Sequence, residues 1–192
     1  AEVCGVTLLL RRELTLDTEE NRLHIRDVVE NQGFQTAPLM MVYHMNFGYP
    51  MLDEGARVYT TSAKVEPRTD FARKGMGNYD VMEAPEVGRE EQCYYHAFGG
   101  KPGLAAIFNH DRGYGLAISF DSQSLDCFTQ WKMMGVKDYV MGLEPGNCTP
   151  DGRDVMRENG TLKFLAPGET KTYSVRVTLV ENEAQWSALK QH

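Results

Sequence analysis

A chain of 192 residues can bury a sizeable core in one domain, and its 42% hydrophobic and 24% charged content is that of an ordinary globular protein. A net charge of −7, with no basic stripe, argues against nucleic acid or an anionic membrane surface as a partner. The apolar runs are far too short to span a bilayer, and Cys4, Cys93, Cys127 and Cys148 lack any Cys-x-x-Cys pair, so no metal site is expected and reduced thiols in a cytoplasmic protein are.

Residues 6–16 and 21–31 read as two strands joined by the polar turn Asp17-Thr18-Glu19-Glu20. Because the sequence opens without methionine and enters a strand almost at once, Ala1 is expected not to be the natural beginning. In the second strand Leu23, Ile25 and Val29 share a face that Asp27 interrupts. A third strand covers 38–47, and 65–88, rich in Pro, Gly and charge, reads as a long surface connection. Residues 91–98 form another strand. Segments 104–108 and 114–120 flank Asn109-His110-Asp111-Arg112-Gly113 as a hairpin. Segments 129–134 with 139–144, and 161–165 with 172–181, complete the set, and only 183–191 looks helical. About ten short strands with turns between them predict one all-β domain over 1–192, an antiparallel β-sandwich.

Two acid–base residues sit where strands end in turn formers. His44 lies in Tyr43-His44-Met45-Asn46-Phe47-Gly48-Tyr49-Pro50, and alternation puts His44 beside Asn46. Glu144 lies in Gly142-Leu143-Glu144-Pro145-Gly146-Asn147-Cys148 and shares a face with Gly142, whose missing side chain leaves room for a ligand. The blander readings are a core histidine with one hydrogen bond and a solvated strand-end glutamate. In Gln130-Trp131-Lys132-Met133-Met134-Gly135, Gln130 and Lys132 lie on one face and Trp131 on the other. These types suit a sugar, whose hydroxyls need forked donors and acceptors and whose C–H faces need flat apolar surface; equally, Trp131 suits a core and Lys132 a rim. In Glu91-Gln92-Cys93-Tyr94-Tyr95-His96, Gln92 and His96 share a face, and Glu91 lies on the other. His24 and His110 read as surface residues. No phosphate loop, zinc helix or serine-hydrolase elbow is present, and the glycosylation patterns at Asn147 and Asn159 read as chance.

Together the blocks 43–55, 130–135 and 142–148 resemble the aldose 1-epimerase (galactose mutarotase-like) superfamily, and within it a little-characterised bacterial branch, over roughly residues 8–180. The resemblance implies a large antiparallel sandwich with a sugar cleft on one sheet and no cofactor. By position, His44 is similar to the family's general acid and Glu144 to its general base. Asn46, Glu91, Gln92, His96, Gln130, Trp131 and Lys132 are then the candidates for holding the sugar, with Glu91-Gln92 matching the region of a hydroxyl-binding acid. Tyr43 stands where the family has asparagine. Family members also carry a further N-terminal portion that supplies strands and cleft residues, so a second copy or a partner chain is expected to complete the fold. The implied activity is interconversion of sugar anomers; the alternative is a non-catalytic carbohydrate-binding module using the same cleft. The catalytic reading expects His44 and Glu144 to face each other across a gap the size of one sugar ring.

Overall fold

The computed structural model describes residues 6–191, so Ala1 and Cys4 lie outside the described residues. The period-two pattern builds two antiparallel sheets that enclose one apolar core. The first sheet consists of β1 (Leu8–Asp17), β2 (Arg22–Asn31), β5 (Arg57–Thr60), β8 (Gly103–Asn109), β9 (Tyr114–Phe120) and β13 (Thr170–Val180), in the spatial order β1-β2-β13-β9-β8-β5. The second consists of β4 (Met45–Phe47), β6 (Lys64–Pro67), β7 (Gln92–Ala97), β10 (Cys127–Met134) and β11 (Tyr139–Gly146), in the order β4-β11-β10-β7-β6. A ribbon pairs β3 (Ala37–Leu39) with β12 (Lys163–Leu165). Ile25, Val29, Ile107, Ile118 and Val175 from the first sheet meet Phe47, Phe128, Met134, Met141 and Leu143 from the second. Phe120 stacks on Phe128 across the interior at 5.7 Å between ring centres.

Residues 38–47 do not form the single strand expected. The segment divides into β3 and β4, which belong to different sheets. Asn147 accounts for the break: its Oδ1 accepts from Met41 N at 2.7 Å, its own N–H donates to Met41 O at 2.9 Å, and Nδ2 donates to Leu39 O at 3.1 Å. One buried amide thus satisfies backbone groups that would otherwise require a neighbouring strand. Asn147 is fully buried, so this fold leaves no room for a glycan on it.

The stretch expected as a connection, 65–88, carries β6, a short helix α1 (Asp70–Lys74) and a 3-10 turn over Met76–Asn78. Thr69 Oγ1 accepts from Ala72 N at 3.1 Å and caps α1, with Asp70 in its first turn, a start signal present in the sequence. Two further helices are α2 (Arg153–Glu158) and α3 (Glu183–Leu189), the latter within the one segment expected to be helical. Among the described residues, no helix is long and apolar enough to cross a membrane.

Asp27, the apparent interruption of β2, is fully buried and forms the joint between the sheets. Arg12 grips it through Nε at 2.8 Å and Nη2 at 2.7 Å, and the Tyr43 hydroxyl donates to it at 2.6 Å. Burial pushes the carboxyl of Asp27 up, but the hydrogen bonds from Arg12 and Tyr43 outweigh that and hold it below its ordinary value. Tyr43 N also donates to Pro145 O at 2.9 Å. Tyr43 is thereby fixed inward, and its neighbour His44 is turned to the outer face of the second sheet.

Candidate active site

Registers within the second sheet assemble the site. Thr129 of β10 lies between Glu144 of β11 and Tyr95 of β7, and Trp131 lies between Gly142 and Cys93. These residues share the outer face, because neighbouring strands in register keep their pleats in phase. His44, just before β4, reaches the same face, and Asn46 follows it opposite Gly142. A pocket of about 170 Å³ results, lined by His44, Glu144, Thr129, Trp131, Cys93 and Glu91, with Arg68 and Pro150 contributed by loops.

His44 Nε2 stands 3.1 Å from Glu144 Oε1, an ion-pair distance, yet the ring N–H is not aimed so as to make a hydrogen bond, and Oε1 is buried without a donor. Glu144 is only 5% exposed while the His44 side chain is half exposed. Burial raises the Glu144 carboxyl above its ordinary value, and the nearby imidazole opposes that in part. The gap expected between the two groups is absent: they touch. Gly142 also serves differently from the expectation. A β-carbon there would meet Glu144 Oε1 at 2.3 Å, so the missing side chain makes room for the glutamate itself.

The other walls are held in place. Trp131 Nε1 donates to Glu91 Oε2 at 2.7 Å, which uses the indole's polar edge, and the His44 ring meets the indole edge-on at 5.7 Å. Arg68 Nε donates to Asp151 Oδ1 at 3.0 Å, and the Tyr95 hydroxyl donates to the same oxygen at 2.7 Å. Cys93 is a buried free thiol pushed up to about 11, chiefly by burial and then by Glu91, so it stays protonated.

Of the candidate residues, the structure brings His44, Glu144, Glu91 and Trp131 to one pocket, with Asn46 on the same face beside it. Gln92, His96, Gln130 and Lys132 are placed on the opposite, inner face and are buried. His96 Nε2 pairs with Gln130 Oε1 at 3.1 Å, Gln130 Nε2 donates to Tyr79 O at 2.6 Å, and Lys132 Nζ donates to Asn78 O at 2.7 Å and meets Glu83 at 2.6 Å. They form a polar layer that fastens the segment after α1 to the sheet. Consecutive strand residues point to opposite faces, so Trp131 and its neighbours Gln130 and Lys132 could not line one cavity. Sequence reasoning missed Thr129, Cys93, Arg68 and Pro150. The parity of β7 and β10 points to the first two; the loop residues carry no such signal.

A family model described as "Domain of unknown function (DUF4432)" matches residues 1–179. The chain belongs to this family. No curated protein matches the DUF4432 chain. Among solved structures it is similar to a "putative aldose 1-epimerase" from Klebsiella pneumoniae, at 28% identity and a TM-score of 0.92, over 100% of this chain and 51% of that one. It is also similar to a galactose mutarotase-like protein from Clostridium acetobutylicum (17% identity, TM-score 0.63, 92% of this chain and 57% of that one). A galactose mutarotase related enzyme from Lactobacillus acidophilus is a third (14% identity, TM-score 0.63, 92% and 63%). The fold is the galactose mutarotase-like β-sandwich, and the chain spans about half the length of the Klebsiella protein it matches.

Proposed function

We propose that this domain interconverts the anomers of an aldose by acid–base ring opening. One observation carries the reading: a carboxylate that is buried, raised and short of a donor sits against a half-exposed imidazole in a small aromatic-walled pocket. Glu144 takes the proton from the anomeric hydroxyl, and those electrons form the C1 carbonyl as the bond from C1 to the ring oxygen breaks. The ring oxygen takes a proton from the His44 imidazolium. Rotation about the C1–C2 bond and closure with the roles reversed give the other anomer. The two oxygens involved are bonded to the same carbon, so acid and base need only a short separation. The reaction requires the solvent-facing His44 ring to swing away from its 3.1 Å contact with Glu144 to admit them. Arg68, Glu91 and Trp131 line the pocket, which supports roles for the first two in binding hydroxyls and for the indole in packing against a C–H face.

The test is exchange of α- and β-hexose anomers, followed by polarimetry or exchange NMR. Glu144→Gln and His44→Asn should each lower the catalysed rate about 10²–10⁴-fold. Wild-type rates in both variants would remove the assignment.

The chain's half-length match to the Klebsiella protein favours a second reading, a sugar-binding module whose cleft is completed elsewhere. Binding of hexose by calorimetry with exchange at the buffer rate selects it. We also propose that residues 1–192 act as one sandwich unit, and that the outer strand β1 is covered by further sheet strands in the working protein. Leu10, Leu14 and Leu16 of β1 stand opposite Val29, Ile25 and Leu23 on the core-facing side, yet all three are exposed.

A further inference from the structure

Beside the His44–Glu144 pocket lies a larger groove of about 650 Å³ on the same face of the second sheet. Trp131 and Glu91 line both, so the indole, tied to Glu91, is the wall between them. Beyond that wall the groove is floored by Met133 of β10, which has the same parity as Trp131, and flanked by Phe71 of α1. Its polar groups are Thr69, Glu90, Asp138 and Arg89. The guanidinium of Arg89 is already engaged by Glu83 at 3.3 Å and Glu86 at 3.0 Å, and lies over the Phe71 ring at 5.6 Å.

Resting on the proposed anomer exchange, we propose that the substrate is a reducing disaccharide, its reducing ring beside His44 and Glu144 and its second, uncharged ring in this groove. The small pocket matches one ring, and the adjoining groove, nearly four times its volume, has ample room for a second. Aromatic and thioether surface fits C–H faces, and carboxylates that can each accept from two neighbouring hydroxyls fit a neutral polyol. Glu90, Glu91 and Asp138 line the groove, and the Arg89 guanidinium is already paired with Glu83 and Glu86, so the groove disfavours a phosphate or carboxylate substituent. Anomer exchange requires a free anomeric hydroxyl on the ring at His44, so the linkage must leave through a carbon remote from C1.

The experiment compares anomer exchange of glucose and galactose with that of maltose and lactose, in wild type and in Phe71→Ala. Wild type should show the higher kcat/KM for a disaccharide. Phe71→Ala should lower that value roughly tenfold or more while leaving monosaccharide exchange within about twofold. Asp138→Asn, which keeps the volume, guards against a folding defect and should lower the disaccharide value alone. Monosaccharide exchange with no disaccharide preference, or an equal loss for both sugars in both variants, overturns the groove assignment and leaves the anomer-exchange reading intact. If no sugar is exchanged, that underlying reading fails. Calorimetric binding of maltose or lactose that Phe71→Ala weakens then still supports the groove, and absence of such binding overturns it.

Discussion

Glu144 is costly where it stands. Its carboxyl is raised by burial, so the folded state favours the protonated form. The sign follows: a carboxyl with a folded pKa above its unfolded one favours folding at low pH and loses that contribution as pH rises through the folded value. At pH 7, well above the ordinary carboxyl value, this shift therefore destabilises the fold. Glu144→Gln should raise Tm at pH 7 while abolishing exchange, each kcal/mol relieved reading as roughly 2–4 °C in a domain of this size. A lower Tm by calorimetry would mean that the carboxylate is there for structure. His44 supplies the opposing effect, since its charge lowers the Glu144 value. In His44→Asn the Glu144 carboxyl should titrate at higher pH than in wild type. Carbon-13 NMR of the labelled carboxyl reads this directly, and an unmoved titration would break the proposed coupling.

At the scale of elements, the second sheet has two chemistries on its two sides. The outer side carries the pocket, and the inner side carries His96, Gln130 and Lys132 beneath α1 and the 3-10 turn. His96 is held neutral, lowered to about 4 by burial against a weaker opposing bond from Gln130. A histidine depressed in the folded state stabilises fully above its unfolded pKa of about 6.5 and loses that contribution as pH falls toward 4. Stability measured by urea titration should thus drop across that window, and His96→Gln should flatten the drop. The same layer explains Gly75, which ends α1. A β-carbon there would meet Gln92 Nε2 at 2.2 Å and the Tyr94 hydroxyl at 2.7 Å, so any side chain at this turn would displace both from their places on the sheet.

Across the whole molecule, the exposed leucines of β1 are the main unpartnered apolar surface on the core-facing side of the first sheet. β1 is a ten-residue strand at the sheet's edge, with charges interspersed but none at Leu14 or Leu16. The 192-residue chain on its own should self-associate with rising concentration, and Leu10→Glu with Leu14→Glu should restore a single species in sedimentation. Equal sedimentation of both proteins at every concentration would show that the stripe is not sticky enough to need cover.

Apart from Glu91, which entered only through the family resemblance, local chemistry in the chain settled the all-β class and most strand positions and offered His44, Glu144 and Trp131 as candidates. It could do so because alternation, turn formers and short motifs act over a few neighbouring residues. Alternation already separated Gln130 from Trp131, but tertiary structure alone decided which of them faces the interior, since facing direction acquires meaning only when a second sheet covers one side. It alone brought Arg68 to Asp151 across 83 positions and broke residues 38–47 around the Asn147 amide. It also closed the His44–Glu144 gap to contact, because the space between two side chains depends on backbone registers that no single strand encodes.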